Sequence, residues 1–217
     1  QLYSSEFGDS DEGVRDFLDG LNIPKVTQEE AVELGAAITL REVQGALTAL
    51  AKGKVPGTDG LLVEFFVAYG DLLAPKQEEL CQHEIEAGCL PLSSREALVV
   101  SLHKAGRPTS YPTAYRPLSM LNIDYKILSR ILSTRLLPHM PRIIHGDQTG
   151  FILRLNTAIN ICWLMALMDS ANYYKSGAMV MAVDLEKAFD SLEWGFLYAV
   201  LEKFGLGEGQ IGRASVW

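Results

Sequence analysis

The chain alternates between stretches whose apolar residues recur every three or four positions and short apolar runs bounded by glycine and proline, the pattern of helices interleaved with a few strands. Thr27 with Glu30, and Thr39 with Glu42, are capping boxes, and each predicts a helix start. The second of these helices carries Leu40, Val43, Leu47 and Leu50 on one stripe and runs to about Leu50, with Ile38 and Val43 placed to staple its first turn. It breaks at KGKVPGTDG, 52–60, where Pro56, Gly57 and Gly60 need turn geometry. Leu61 to Leu73 and Pro75 to Gly88 predict two more helices, the latter opened by its proline and closed by its glycine.

Glu96 to Leu102 is apolar and β-rich, and a proline-punctuated basic loop separates it from an extended segment at Tyr115 to Ser119, which is the layout of a hairpin. From Asn122 to Leu137, Ile123, Ile127, Leu128, Ile131, Leu132 and Leu136 share one side of a helix, while Lys126, Arg130 and Arg135 fall largely on the other; Pro138 stops it. Met179 to Val183 is an unbroken apolar run, suited to a strand buried on both faces, and Asp184 sits at its exit. Leu192, Phe196, Leu197, Val200, Leu201 and Phe204 then recur at helical spacing, and Gly205 is placed to cap that helix. Residues 1–20, rich in Gly, Ser and Asp, predict no fixed structure, and 1–26 reads as a flexible lead-in.

At 217 residues and 48% hydrophobic, the chain can bury a core as one large or two small domains. It starts at Gln1 and stops at Trp217, and both ends read as cut, so the expectation is a piece of a longer protein. No apolar run approaches the ~18 residues of a membrane span and no signal peptide opens the chain, which predicts a soluble, intracellular protein without membrane contact. Cys81, Cys89 and Cys162 are too few and scattered for a disulfide framework, and Cys81, His83 and Cys89 lack the paired spacing and fourth ligand of a zinc site.

The net charge of −8 speaks against a general nucleic-acid binder until it is divided along the chain. Residues 1–94 carry −11 and 155–217 carry −3, whereas 95–154 carry +6, so a basic block lies between acidic flanks. Such a block is either a phosphate-binding surface or a solvated helix face. The chemistry near Asp184 is similarly double. Asp184 and Asp190 suit helix or turn caps, or a metal site at a strand exit; Phe189 suits the core beside Leu192 and Phe196, or a position over that site.

Four stretches resemble one family, the reverse transcriptases of LINE-1-like non-LTR retrotransposons, and do so in the family's order from about residue 17 to 211. KGKVPGTDG resembles the KSPGPDG loop, with Thr58 in place of the usual proline. Lys104 to Arg107 and Tyr115 to Ser119 resemble IPKPGK…YRPIS, and LNIDYKILSRILSTRLLP followed by HGDQTGF resembles LLNIDYKILAKILANRL followed by HxDQxGF. MVMAVDLEKAFDSLEW resembles motif A, a strand ending in Asp with an aromatic five residues on and AFD around it. Two departures are Leu153, Arg154 and Leu155 where the family has Pro-Gly-Arg, and the absence of any Asp-Asp dipeptide where the family has FADD.

The resemblance implies an α/β (α+β), helix-rich and incomplete right-hand polymerase, with fingers at 27–178 and the first strand and helix of the palm at 179–217. It implies that Asp184 is a catalytic metal ligand for Mg²⁺ (or Mn²⁺) in the complete enzyme, by two-metal transfer of a phosphoryl group from a dNTP to a primer 3′-hydroxyl. By the same resemblance Lys104, Arg116, Gln148 and Phe189 would contact the nucleotide, Phe189 excluding a 2′-hydroxyl. Lys54, Arg107, Lys126, Arg130 and Arg135 would contact nucleic acid, since lysine and arginine suit phosphates. RNA template, DNA primer and dNTP are then the partners, the rest of the palm, the thumb and an upstream endonuclease lie elsewhere in the parent polyprotein, and the nucleus or a cytoplasmic ribonucleoprotein is the location. Without a second carboxylate pair these residues alone would be inactive, and the alternative is a non-catalytic remnant that at most binds nucleic acid.

Overall fold

Both capping boxes form in the computed structural model, which describes residues 11–152, 154–185, 188 and 192–206. Thr27 Oγ1 accepts from Glu30 N at 3.2 Å while Glu30 Oε2 accepts from Thr27 N at 2.7 Å, opening helix α2 (Gln28–Leu34). Thr39 and Glu42 do the same for α3 (Leu40–Ala49), and the staple pair Ile38 and Val43 is buried. Each box satisfies backbone donors that the first turn leaves without carbonyl partners.

Ahead of α2 stands α1 (Asp11–Asp19), a correction to the lead-in read from composition. Leu18 is buried and α1 packs on the last helix, with Lys203 Nζ donating to Asp19 Oδ1 at 2.9 Å. The partner lies far along the chain, so no local signal announces the helix. After α3 come α4 (Val63–Ala68) and α5 (Gly70–Ala87). Pro75 does not open α5 but lies inside it, forfeiting the bond its nitrogen would make to Asp71. Burial of Ala74 and partial burial of Leu73 against the core hold the first turn in spite of that loss. Gly88 ends the helix in the left-handed conformation, φ 62°, as its position predicts.

The short α6 (Leu92–Arg95) leads into β1 (Leu98–His103), which pairs antiparallel with β2 (Tyr115–Met120) from Leu98↔Met120 to His103↔Tyr115. A 3₁₀ turn at Pro112–Ala114 precedes β2. This hairpin is the one sheet among the described residues, and nearly all of its residues are exposed on both faces. Helix α7 (Ile123–Leu136) follows, then α8 (Met140–Ile143), α9 (Thr157–Tyr173) and α10 (Trp194–Lys203).

The described residues fall into two compact units, 34–135 and 11–33 with 136–206. The core of the first gathers Ile38, Val43, Ala46 and Leu47 of α3, Val63 and Phe66 of α4, Ala74 and Cys81 of α5 and Ile123, Ile127, Leu128 and Ile131 of α7. The α7 stripe is the one its spacing predicts. In the second unit, Gly205 (φ 84°) closes α10 in a Schellman motif, its N–H donating to Glu202 O at 2.9 Å and that of Leu206 to Leu201 O at 3.1 Å. Val26 N donates to Phe204 O at 2.7 Å, which ties the segment before α2 to that cap.

Two features of the second unit differ from the hydrophobic pattern. Residues 176–185 form no strand: Met179, Val180, Met181 and Val183 are exposed, without the regular pairing the apolar run predicts. A strand is stabilised by pairing with a neighbour's backbone, and among the described residues no strand pairs with 179–183. Conversely the pattern does not predict α9, because that helix is apolar on every side and offers no stripe to read; Asn156 caps it by accepting from Ala158 N at 2.9 Å, and none of its residues is buried.

Candidate functional site

The hairpin carries three of the basic residues singled out in the sequence. Its loop is organised by its own polar groups: Lys104 N donates to Ala114 O at 2.7 Å, Arg107 N to Lys104 O at 3.2 Å, and Tyr115 Oη to Thr109 O at 3.2 Å. The His103 ring nitrogen Nε2 donates to Arg107 O at 2.8 Å. Lys104 lies half-buried and sends Nζ to Thr113 O at 3.0 Å, so part of its donor capacity belongs to the loop. Arg107 at the turn and Arg116, opposite Leu102, are exposed, and among the described residues neither forms an ion pair.

Behind the hairpin, the PGTDG turn meets the start of α7. Asn122 is buried and its side chain faces two ways, Nδ2 donating to Ser93 O at 3.1 Å and Oδ1 accepting from Asp59 N at 3.3 Å. Gly57 packs so near that a side chain there would meet the Asn122 backbone. Lys54, two residues ahead of that turn, is exposed, and Lys126 and Arg130 lie on α7, the first half-buried and the second exposed.

Arg135 is not the free cation that the helix face suggested. Its Nε and Nη2 donate to the Glu42 carboxylate at 2.6 and 2.8 Å, while Nη1 donates to Leu34 O and Ala36 O and Nη2 also to Ala37 O. All five N–H donors are accounted for, so the side chain clamps the α2–α3 link to α7 instead of facing a phosphate. That guanidinium, with Thr39 adding hydrogen bonds, holds the Glu42 carboxyl down at about 2 against the opposing effect of partial burial. Helical periodicity places Arg135 on the polar side; it says nothing of the acceptors waiting there.

In the other unit, HGDQTGF folds on itself. Gln148 N donates to His145 O at 3.0 Å and Nε2 to Gly150 O at 3.1 Å, Asn160 Nδ2 reaches Asp147 O at 3.1 Å, and Thr149 is buried. Gln148 itself is exposed, and Phe151 stands 96% exposed with φ 62°. Arg142 and His139 both meet Glu30, which lies below the usual carboxylate range chiefly because Thr27 N–H donates to it. These pairs fix α8 to α2 and are not legible in the sequence, since ion pairs over a hundred residues apart leave no local trace.

Asp184 is exposed in the segment 176–185, which has no regular secondary structure. Glu186, Phe189 and Asp190 lie outside the described residues, so their placement is not described. Among the described residues no three His, Cys, Asp or Glu side chains stand close enough to hold a metal ion. Asp184 therefore offers one carboxylate, and the described residues do not by themselves fit a divalent ion, which needs several oxygen ligands.

One cluster escaped the sequence reading. Glu84 of α5 is buried, and Ser94 Oγ lies 3.3 Å from its Oε1 and 3.5 Å from Asp124 Oδ2. The signal was present: Glu84 falls three residues after Cys81 on the buried side of α5, where an apolar residue is the norm.

Comparison with known proteins adds the family. The model of the family described as reverse transcriptase (RNA-dependent DNA polymerase) matches residues 102–214, about half of the chain. The chain is 31% identical over 94% of its length to the transposon TX1 uncharacterized 149 kDa protein of Xenopus laevis, of which it covers 15%. It is 27% identical over 78% of its length to the RNA-directed DNA polymerase from mobile element jockey of Drosophila melanogaster, covering 19% of that protein. Over 79% of its length it is 26% identical to the retrovirus-related Pol polyprotein from type-1 retrotransposable element R2 of Popillia japonica, covering 23%. The chain thus spans less than a quarter of these relatives. No helix among the described residues is long and apolar enough to cross a membrane. The chain belongs to the reverse transcriptase family, on the side of the non-LTR retrotransposons.

Proposed function

We propose that the chain is the part of an RNA-directed DNA polymerase that grips template and incoming nucleotide and supplies the first aspartate of its metal site. The basic hairpin and the PGTDG turn belong to the fingers, and residues 179–217 open the palm. Lys104 and Arg116 meet the triphosphate, Gln148 and Phe189 the nucleotide, and Lys54, Arg107, Lys126 and Arg130 the nucleic-acid backbone; Arg135 drops out of that set. The observation that carries this is the contrast between cations. Arg135, Arg142 and Lys203 are paired with carboxylates, while Arg107 and Arg116 stand exposed and, among the described residues, without an ion pair on the hairpin. Unpaired guanidinium groups on an exposed ribbon suit phosphates, which accept their forked donors.

In the complete enzyme Asp184 would be one ligand among several for Mg²⁺ or Mn²⁺, which would supply charge stabilisation at the transferred phosphoryl group. A second reading, a non-catalytic segment that binds nucleic acid only, is favoured for residues 1–217 alone by the incomplete carboxylate set. Primer extension on an RNA template, run beside RNA binding over a salt series, tests both. The isolated chain is expected to bind with a steep salt dependence and to add no nucleotide; extension by these residues would remove the second reading, and binding indifferent to salt would remove the hairpin's role.

A further inference from the structure

Both feet of the hairpin are tied to one buried polar cluster. Ser93 and Ser94 belong to α6, just ahead of β1, and Asn122 and Asp124 come directly after β2. Asn122 Nδ2 donates to Ser93 O, and Ser94 Oγ stands between Glu84 Oε1 of α5 and Asp124 Oδ2 of α7. The hydroxyl owns one hydrogen, and two carboxyl groups reach for it. Glu84 is 2% exposed, and its Oε2 is buried without a hydrogen-bond partner among the described residues. Two carboxylates around one hydrogen leave a buried anion unsatisfied, which is among the costliest arrangements in a core.

We propose that the base of the β1–β2 hairpin is a proton-dependent latch, closed when Glu84 is protonated and released when that proton leaves. With the proton in place every hydrogen has an acceptor: the Glu84 carboxyl O–H donates to Ser94 Oγ, and the Ser94 hydroxyl donates to Asp124 Oδ2. Without it, one hydrogen serves two anions, and α6 and the start of α7 are pushed from α5. Burial raises the Glu84 carboxyl to about 7, the Ser94 hydrogen bond pulling down and the Asp124 charge pushing up. The Cys81 thiol on the same side of α5, raised to about 12 by burial and by Glu84 and Asp124, stays neutral and offers no compensation. Helices α3 and α4 also pack on α5, and no cation from either acts on the Glu84 carboxyl. A raised carboxyl gives stability that is whole below the ordinary value of 4.5 and is lost as pH rises through about 7. The latch therefore opens toward alkaline pH, and it does so whatever the hairpin binds.

Hydrogen exchange on the whole chain tests this, comparing amides of 92–103 and 115–126 at about pH 6 and about pH 8 after correction for intrinsic rates. The unsubstituted chain is expected to lose protection there by about tenfold or more, and Glu84→Gln, whose neutral amide can donate to Ser94 Oγ, to keep its protection at both pH values. Asp124→Asn removes the charge that opposes deprotonation and moves the transition to lower pH, which serves if Glu84→Gln does not fold. His103 lies on the hairpin and His83 on α5. A parallel loss in Glu84→Gln would assign the effect to them and overturn the latch, as would unchanged protection in the unsubstituted chain or an unshifted transition in Asp124→Asn.

Discussion

Gly57 lies against the backbone of Asn122 so closely that a Cβ on it would sit 2.6 Å from both Asn122 N and Leu121 C. The glycine of the PGTDG turn and the asparagine at the head of α7 thus form one packed joint, made of two stretches that the sequence presents as separate motifs. Gly57→Ala forces backbone apart and is expected to lower stability by about 2 kcal/mol or more, read by denaturant unfolding. Gly60→Ala, with open space around its Cβ and φ 72°, has only the left-handed backbone to oppose it and should lose about 1 kcal/mol. Equal losses would show that packing against Asn122 is not what requires Gly57.

Arg135→Lys replaces a five-donor fork by a point charge and leaves the carbonyls of Leu34, Ala36 and Ala37 competing for one ammonium. A loss of about 2–4 kcal/mol is expected, measured by the same unfolding assay. Because the Glu42 carboxyl is held below its ordinary 4.5, its contribution is present above that value and lost as pH falls toward about 2. An acid-unfolding curve of the substituted chain should therefore lose the stability change that the unsubstituted chain shows in that window.

Arg116→Ala and Arg107→Ala should each flatten the log–log salt dependence of RNA binding by about one phosphate contact. Arg135→Lys should leave the slope unchanged, since its donors are spent within the protein. A reduced slope for Arg135→Lys would return that residue to the nucleic-acid surface.

What the sequence discloses divides by range. Thr27 with Glu30 and Thr39 with Glu42 were legible because a capping box is complete within four residues, and the α7 stripe because helical spacing is local. The hairpin was legible as two β-rich runs around a basic turn. The helix at 11–19 was not, since what orders it is Lys203 and α10 at the far end of the chain. Met179 to Val183 has the composition of a strand, but pairing is decided by a neighbour that composition does not name. The candidate site divides in the same way: Arg107 in the loop and Arg116 on β2 are exposed, whereas Arg135 is consumed by carbonyls about a hundred residues away.

Phe189 lies outside the described residues, and its proposed role is to exclude a 2′-hydroxyl by contact with the sugar. Phe189→Val in a longer polymerase carrying this segment is expected to raise ribonucleotide use relative to deoxynucleotide use while deoxynucleotide incorporation stays largely intact. Excluding a group by clash discriminates more strongly than a small attractive contact. Loss of stability and of both activities together, with the ratio unmoved, would instead make Phe189 a core residue.

The most direct test is Asp184→Ala in such a polymerase, assayed by primer extension on an RNA template beside RNA binding. If Asp184 is the metal ligand proposed above, its loss should lower extension by about a thousandfold or more while RNA affinity is retained, because that role belongs to the chemistry and not to the basic surface. Extension at a near-normal rate by the Asp184→Ala enzyme would contradict the assignment of Asp184 and, with it, the position of the catalytic centre.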